Sequence, residues 1–252
     1  MEFVARVVTF EGFLGFPGEL GVILRHKALS VEWIDICPSV TWSYRWWASQ
    51  GSGDFINGVI IGLKKMPKVS HCIGVGYSMG GRLLLQCLER APDLFHKIIF
   101  ISTHPGLSTN EERNTRWQSD RQWIQKLRSG SLFEFIELWE KQEVFAGTRQ
   151  RGTYSARIGN VTFPSVCPIF DNDHLAYIFE RYSLARQSDY RGLLKEISAS
   201  QVWVAGERDK KFVQIVKELD GSSLCRLIVP RSGHRVHLDR PKILQYLLKR
   251  FI

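Results

Sequence analysis

Long hydrophobic runs are missing from this sequence. Phe55 to Leu63 is among the longest stretches without charge, far short of the roughly 18 apolar residues a membrane-spanning helix needs. Cysteine is sparse and unpaired in pattern. The five residues Cys37, Cys72, Cys87, Cys167 and Cys225 are odd in number and widely spaced, with no C-x-x-C pair. That argues against a disulfide framework or a structural metal site and for a reducing compartment. The leading residues Met1-Glu2-Phe3-Val4-Ala5-Arg6 lack the basic-then-apolar order of a secretory signal, so the expected location is the cytoplasm. Repeats and low-complexity segments are absent, as are nucleic-acid motifs and long basic runs. The net charge of +9, from 34 Lys+Arg against 25 Asp+Glu, is concentrated late, with 11 basic and 5 acidic side chains in residues 201–252. Without a nucleic-acid motif that charge reads as solvated surface, with an anionic small molecule as its other use. Neither nucleic acid nor membrane is an expected partner, and no metal or cofactor is expected.

What is present is ordinary globular material: 252 residues, 44% hydrophobic, 12% aromatic and 23% charged. This excludes a disordered or fibrous chain and fits one large domain or a core with an insertion. Val4 to Phe10 is β-branched and aromatic and runs into the turn chemistry of Gly12-Phe13-Leu14-Gly15-Phe16-Pro17-Gly18, a strand entering a glycine loop. Val31–Ile36, His71–Tyr77 and Lys97–Ser102 read as further strands, the last two as continuous apolar runs. Asp54 caps an expected helix to Lys65, and Gly80–Arg90 carries leucines on a broad face. Near-continuous apolar strands alternating with helices imply a parallel sheet covered on both sides.

The alternation then breaks. From Pro105 to Ser183 no strand is expected. Thr109 with Glu112 forms a capping box before a polar helix to about Arg128; Ser131–Gln142 and Leu175–Ala185 are further helices. Alternation returns with Gln201–Ala205, Lys211–Leu219, Cys225–Val229 and Pro241–Phe251. The expected division is an α/β core at 1–104 and 185–252, with a helical cap at 105–184.

Gly76-Tyr77-Ser78-Met79-Gly80 follows a buried strand and opens a helix, the context in which a G-x-S-x-G turn thrusts a serine hydroxyl out of a sheet. The alternative is an ordinary glycine-rich turn. Asp209 follows one late strand and His234 the next, the Ser…Asp…His chain order of a nucleophile, an acid and a base at one sheet edge. Asp209 could instead cap the following helix and His234 could be a plain loop histidine; His237, a rival, reads as a surface or supporting residue. An anion-stabilising pair of backbone N–H groups would come from Met79 and Phe13. Glu11 beside that loop is unfavourable unless its carboxylate points away.

These stretches resemble the α/β-hydrolase superfamily. More narrowly they resemble the MenH family, the synthases of menaquinone biosynthesis that make 2-succinyl-6-hydroxy-2,4-cyclohexadiene-1-carboxylate. The matching residues are Gly76-Tyr77-Ser78-Met79-Gly80-Gly81-Arg82, His104-Pro105-Gly106-Leu107 with Glu112-Arg113, Arg116 and Ser119-Asp120-Arg121-Gln122-Trp123. Trp139, Val144-Phe145-Ala146, Gly206-Glu207-Arg208-Asp209 and Arg231 with Gly233-His234 complete the match. The resemblance implies the α/β-hydrolase fold, elimination of pyruvate from a cyclohexene polycarboxylate, and Ser78 with His234 and Asp209 working as a base. It implies Arg82 and Arg116 on substrate carboxylates, Tyr77 beside the serine, and Trp139 and Phe145 as pocket walls. The family's third substrate-binding arginine has Arg157 as its nearest candidate here. Departures are an absent leading hairpin, Asp35-Ile36-Cys37-Pro38-Ser39 in place of a D-x-P-G-H-G loop, and a longer segment from Gly147 to Asp173. Two other readings stay open: a small-ester carboxylesterase with Ser78 as nucleophile, and a non-catalytic binding protein on the same fold.

Overall fold

Strands that are apolar on every residue cannot lie at a solvated surface, and their burial dictates the architecture. In the computed structural model, which describes residues 5–25, 31–148, 156–158, 161–163, 170–221 and 223–251, six strands form one parallel sheet. They are β1 (Ala5–Phe10), β2 (Val31–Ile36), β3 (His71–Tyr77), β4 (Lys97–Ile101), β7 (Ser200–Gly206) and β8 (Leu224–Val229). The spatial order is β2-β1-β3-β4-β7-β8, with every neighbouring pair parallel. Among the described residues two further strands, β5 (Ala156–Ile158) and β6 (Val161–Phe163), form an antiparallel pair of their own.

Parallel pairing forces crossover connections, and here they are helices that cover both faces. Before β3 come α1 (Glu19–Leu24), α2 (Thr41–Gln50) and α3 (Phe55–Lys65); α4 (Met79–Arg90) follows it. The segment between β4 and β7 holds α5 (Asn110–Ser129), α6 (Leu132–Glu140), α7 (Asn172–Arg181) and the single turn α8 (Leu193–Glu196). The chain closes with α9 (Lys210–Glu218), α10 (Val236–Asp239) and α11 (Pro241–Phe251). Side chains alternate across the sheet, so Ile99, Ile101, Val202 and Val204 pack with Leu20, Leu244 and Leu248 on one face. Ile98, Phe100 and Trp203 pack with Leu83, Leu84 and Leu88 on the other.

Local sequence explains most boundaries. Asp54 accepts from Asn57 N–H to start α3. The capping box holds α5, with Glu112 N–H donating to Thr109 Oγ1 at 3.1 Å and Thr109 N–H to Glu112 Oε2 at 3.0 Å. Several elements depart from the sequence-based expectation, the single turns α8 and α10 among them. The β5–β6 pair lies where no strand was expected; β-branched residues flanking Gly159-Asn160 are a hairpin signal that strands of three residues barely register. Helices α1 and α2 were not anticipated, because α1 is short and glycine-preceded, and α2 is built of tryptophan, tyrosine and serine rather than strong helix formers.

Chain order runs outward from β1 to β2 and then returns to β3 on the other side of β1. The connections therefore diverge between the carboxyl ends of β1 and β3, where an open sheet leaves a crevice. Ser78 directly follows β3 there, Ser102 follows β4, Asp209 follows β7 and His234 follows β8.

Helices α2 and α3 approach so closely that a Cβ on Gly58 would stand 1.8 Å from Trp47 O. Gly58→Ala therefore forces the two backbones apart, and unfolding in urea should show a loss of about 3 kcal/mol.

Candidate functional site

The residue that ends β3 and begins α4 sits in a backbone conformation few L-residues adopt. Ser78 has φ 51° and ψ −112°, which costs on the order of 1–3 kcal/mol and turns its hydroxyl off the sheet edge. The turn closes because no side chain blocks it: a Cβ on Gly76 would meet Gly81 Cα at 2.5 Å, and one on Gly80 would meet Phe10 O at 2.0 Å. The second contact seats the start of α4 against the residues that lead into the Gly12–Pro17 loop.

His234 is brought to this hydroxyl from the other side of the sheet. Its Nε2 lies 3.2 Å from Ser78 Oγ and its Nδ1 2.6 Å from Asp209 Oδ2. Both Asp209 and His234 are buried. A carboxylate only accepts, so the 2.6 Å contact assigns the proton to Nδ1 and leaves Nε2 as acceptor for the serine O–H. Asp209 occupies the N-cap position of α9, yet its side chain makes no capping hydrogen bond; the carboxylate is turned to the imidazole instead. Ser102 Oγ donates to His234 O at 2.8 Å and holds the histidine loop to the end of β4. Such a chain can withdraw the serine proton and stabilise the resulting imidazolium.

Among the described residues, neither Phe13 N–H nor Met79 N–H donates to another backbone or side-chain group. Met79 directly follows Ser78, and Gly12, the residue before Phe13, packs on Tyr77. Glu11, whose carboxylate would oppose an anion there, is buried and accepts Leu20 N–H at 3.0 Å; its charge is directed toward α1.

A cavity of about 350 Å³ opens over Ser78 and His234. Trp139 and Phe145 line it, as do Arg82 and Arg116. Arg82 Nη1 donates to Tyr182 O at 2.6 Å; burial, reinforced by Arg116, pushes its guanidinium down to about 9, still charged at neutral pH. Arg116 Nε donates to Asp120 Oδ1 at 2.7 Å, and Ser183 Oγ donates to Asp120 Oδ2 at 2.6 Å. Other sequence candidates are placed elsewhere. Tyr77 does not line the cavity: its ring lies 4.3 Å from His237, 5.5 Å from the His234 ring and beneath Gly12. Side chains alternate along β3, so the residue before Ser78 cannot share its exit. Arg113 is consumed by the carbonyls of Gln187 and Leu107 at 2.7 and 2.8 Å. Arg121 lines a separate groove with Trp117 and Arg128. The side chain of Arg157 lies outside the described residues. His237 is not a surface residue: it is buried, with Nε2 3.6 Å from Glu19 Oε1, because α10 packs its inner face on α1.

Two residues, His104 in the cavity wall and Arg235 behind it, carried no assigned role from sequence. His104 accepts Gly106 N–H on Nδ1 at 3.1 Å. Burial, followed by the fields of Lys211, Arg82, Arg191 and Arg116, pushes its pKa down to about 3, so it is neutral and carries its hydrogen on Nε2. Arg235, next to His234, is buried. Its guanidinium pairs with both oxygens of Glu140 at 2.6 and 2.5 Å and stacks 4.1 Å from the Phe145 ring. Its backbone N–H donates to Thr148 Oγ1 at 3.1 Å. The histidine loop is thereby fastened to the end of α6. The signal for His104 was its place in the H-P-G-L block; for Arg235 there was none, since a lone arginine has no periodicity.

Two outcomes follow from these environments. Glu140→Gln strands the buried Arg235 charge, and chemical denaturation should show a loss of about 3 kcal/mol. His104 is held neutral when folded, whereas the unfolded chain binds its proton below about pH 6.5, so stability falls as pH drops from about 6.5 towards 3. His104→Gln removes this penalty: relative to the unsubstituted protein it should gain roughly 2 kcal/mol on going from pH 8 to pH 5 in urea titrations.

The α/β hydrolase fold family matches residues 68–241. Named relatives include the 2-succinyl-6-hydroxy-2,4-cyclohexadiene-1-carboxylate synthase of Escherichia coli O1:K1, 33% identical over 170 residues covering 66% of this chain and 62% of that protein. The enzyme of the same name from Escherichia fergusonii is 34% identical over 170 residues, with the same coverage. The chain thus spans 62% of the length of these curated relatives in the aligned region. Among solved structures, MenH from S. aureus superposes with a TM-score of 0.77 at 19% identity, covering 100% of this chain and 94% of that one. An esterase from Exiguobacterium antarcticum gives 0.64 at 17% identity, covering 100% and 93%. Among the described residues no helix is long and apolar enough to cross a membrane. The family match covers well over half of the sequence, from the approach to β3 to the start of α11, and the chain belongs to the α/β-hydrolase fold family.

Proposed function

We propose that this protein is a lyase that eliminates pyruvate from a cyclohexene polycarboxylate in menaquinone biosynthesis, with Ser78, His234 and Asp209 acting as a base. The observation that carries the reading is the cationic lining of the cavity over Ser78. Arg82 and Arg116 border the same space as the Ser78–His234 pair, and fixed guanidinium forks suit carboxylates far better than neutral esters. The named relatives make a product that retains a succinyl and a ring carboxylate, which supports the same substrate class.

His234 Nε2 takes the Ser78 hydroxyl proton, and Asp209 steadies the imidazolium. The Ser78 alkoxide removes a proton from a carbon acidified by conjugation with a carbonyl. The electron pair moves onto the carbonyl oxygen, where Phe13 N–H and Met79 N–H stabilise it. As the carbonyl re-forms, the pair returns through the ring, a double bond forms, and the C–O bond to the enolpyruvyl group breaks. The enolate leaves with that bond's electrons and accepts the proton held on His234. Ser78 retains the substrate proton as its hydroxyl, and no acyl-enzyme forms. Trp139 and Phe145 wall the ring, and Arg82 and Arg116 hold its carboxylates.

The second reading, a carboxylesterase, is favoured by the same half-buried serine at a strained turn opening onto the cavity. Phosphonate trapping and a burst on p-nitrophenyl acetate distinguish it. On the lyase reading, Ser78→Ala lowers pyruvate release from the cyclohexene substrate roughly 10³–10⁶-fold in a coupled assay, while ester turnover is feeble in the unsubstituted enzyme. Undiminished release in Ser78→Ala protein rejects the role assigned to Ser78.

A further inference from the structure

Parallel strands that deliver their carboxyl ends to one edge of the sheet leave their starts at the other. There Arg6 of β1 sits in register with Cys72 of β3. The chain that leaves α3 and the chain that leaves α4 pass beside those starts and border a cavity of about 530 Å³. Six steps of chain run along β3 from Cys72 to Ser78, a rise of about 20 Å, so this space is separate from the one over Ser78. Its lining divides by chemistry. Buried Leu63, Cys72 and Ala91 border it together with Met66, Val69 and Leu94, which are half-buried and pack on the core. Among the described residues no tryptophan, tyrosine or phenylalanine lines it, whereas Trp123, Trp139 and Phe145 line the cavity over Ser78. Aliphatic and thioether walls suit a flexible chain and give a planar ring nothing to stack on.

The polar part of the lining is cationic. Two of its cations are committed: Arg6 donates from Nε to Glu32 Oε2 at 2.6 Å and from Nη2 to Pro67 O at 2.9 Å, and Arg90 Nη1 donates to Asp54 Oδ1 at 2.9 Å. Lys64 and Lys68 are exposed and, among the described residues, make no hydrogen bond or ion pair. His96 accepts Cys72 N–H on Nδ1 at 3.0 Å, which places its hydrogen on Nε2 as a donor. Asp93 is the single acid among the described lining residues, and the two unpaired lysines outnumber it. An apolar pocket bordered by free cations complements an amphiphile with an anionic head.

We infer that this cavity binds an aliphatic carboxylic acid, with the chain along Met66, Val69 and Leu94 and the carboxylate met by Lys64, Lys68 and His96 Nε2–H. The inference is independent of the lyase reading, since it uses no group of the Ser78 cavity. The volume accommodates a chain of about eight to ten carbons. It also gives a use to cations that the sequence alone presents as solvated surface.

The test is calorimetric titration of the full chain with hexanoate, octanoate and decanoate, each below its micellar concentration, beside octan-1-ol and octyltrimethylammonium. Affinity should rise roughly two- to fourfold with each added methylene, and octanoate should bind roughly tenfold or more tightly than the alcohol or the cation. The charge-reversing pair Lys64→Glu and Lys68→Glu, made together on exposed side chains, should weaken octanoate roughly tenfold or more and strengthen octyltrimethylammonium. A misfolded chain does not give that inversion. Arg116→Gln, in the cavity over Ser78, should leave octanoate within about twofold of the unsubstituted protein. Any one of four results overturns the inference: no octanoate binding, equal binding of the alcohol, affinity independent of chain length, or a loss caused by Arg116→Gln and not by the lysine substitutions.

Discussion

The turn at Ser78 is the constraint around which the rest is arranged. A strand buried on both faces must hand over to a helix within one residue, and that residue is held at φ 51°. Only the packing of β3 against β1 and β4, with Gly76 and Gly81 nearly touching, makes so strained a conformation persistent. The return is positional. The hydroxyl leaves the sheet edge, the first N–H groups of α4 face the same way, and Gly80 draws the end of β1 alongside. The Ser78–His234–Asp209 cluster and the cations of the cavity are gathered around that one turn.

Charge is managed differently on the two sides of it. Behind the Gly12–Pro17 loop, acidic groups are sealed off by main-chain donors: Glu11 takes Leu20 N–H and Glu19 takes Phe16 N–H. In front of it, cations border the cavity and the buried carboxylate of Asp120 is held on both oxygens. A histidine forced to stay neutral completes the lining. Separation of the two signs keeps negative potential away from where an oxyanion would develop, and this follows from which loops the sheet brings together rather than from net charge.

The helices between β4 and β7 are fastened to that front side by aromatic and ionic contacts that span the whole chain. Phe13 lies 5.0 Å from Trp139 and 4.9 Å from Phe179, and Arg235 clamps Glu140 while covering Phe145. Displacing α6 would therefore disturb the loop carrying His234, which ties the shape of the pocket to the placement of that histidine.

Much of this was legible in the residues. Uninterrupted β-branched runs determined β3 and β4, because only burial on both faces tolerates them. The capping box started α5, and the glycines around Ser78 marked a turn no other residue type could make. The order of Ser78, Asp209 and His234 after successive strands was written in one dimension, since a parallel sheet delivers strand ends to a common edge. The tertiary structure alone decided which neighbours of those positions face the cavity. Tyr77 is adjacent to Ser78 in sequence, but the pleat turns its ring behind the cavity, against His237 and His234; His237 is turned inward by one helical turn; Arg235, an ordinary cation in the sequence, becomes singular through what pairs with it. Backbone pattern is a property of neighbours along the chain, whereas the partner of a charge is settled only when distant segments pack.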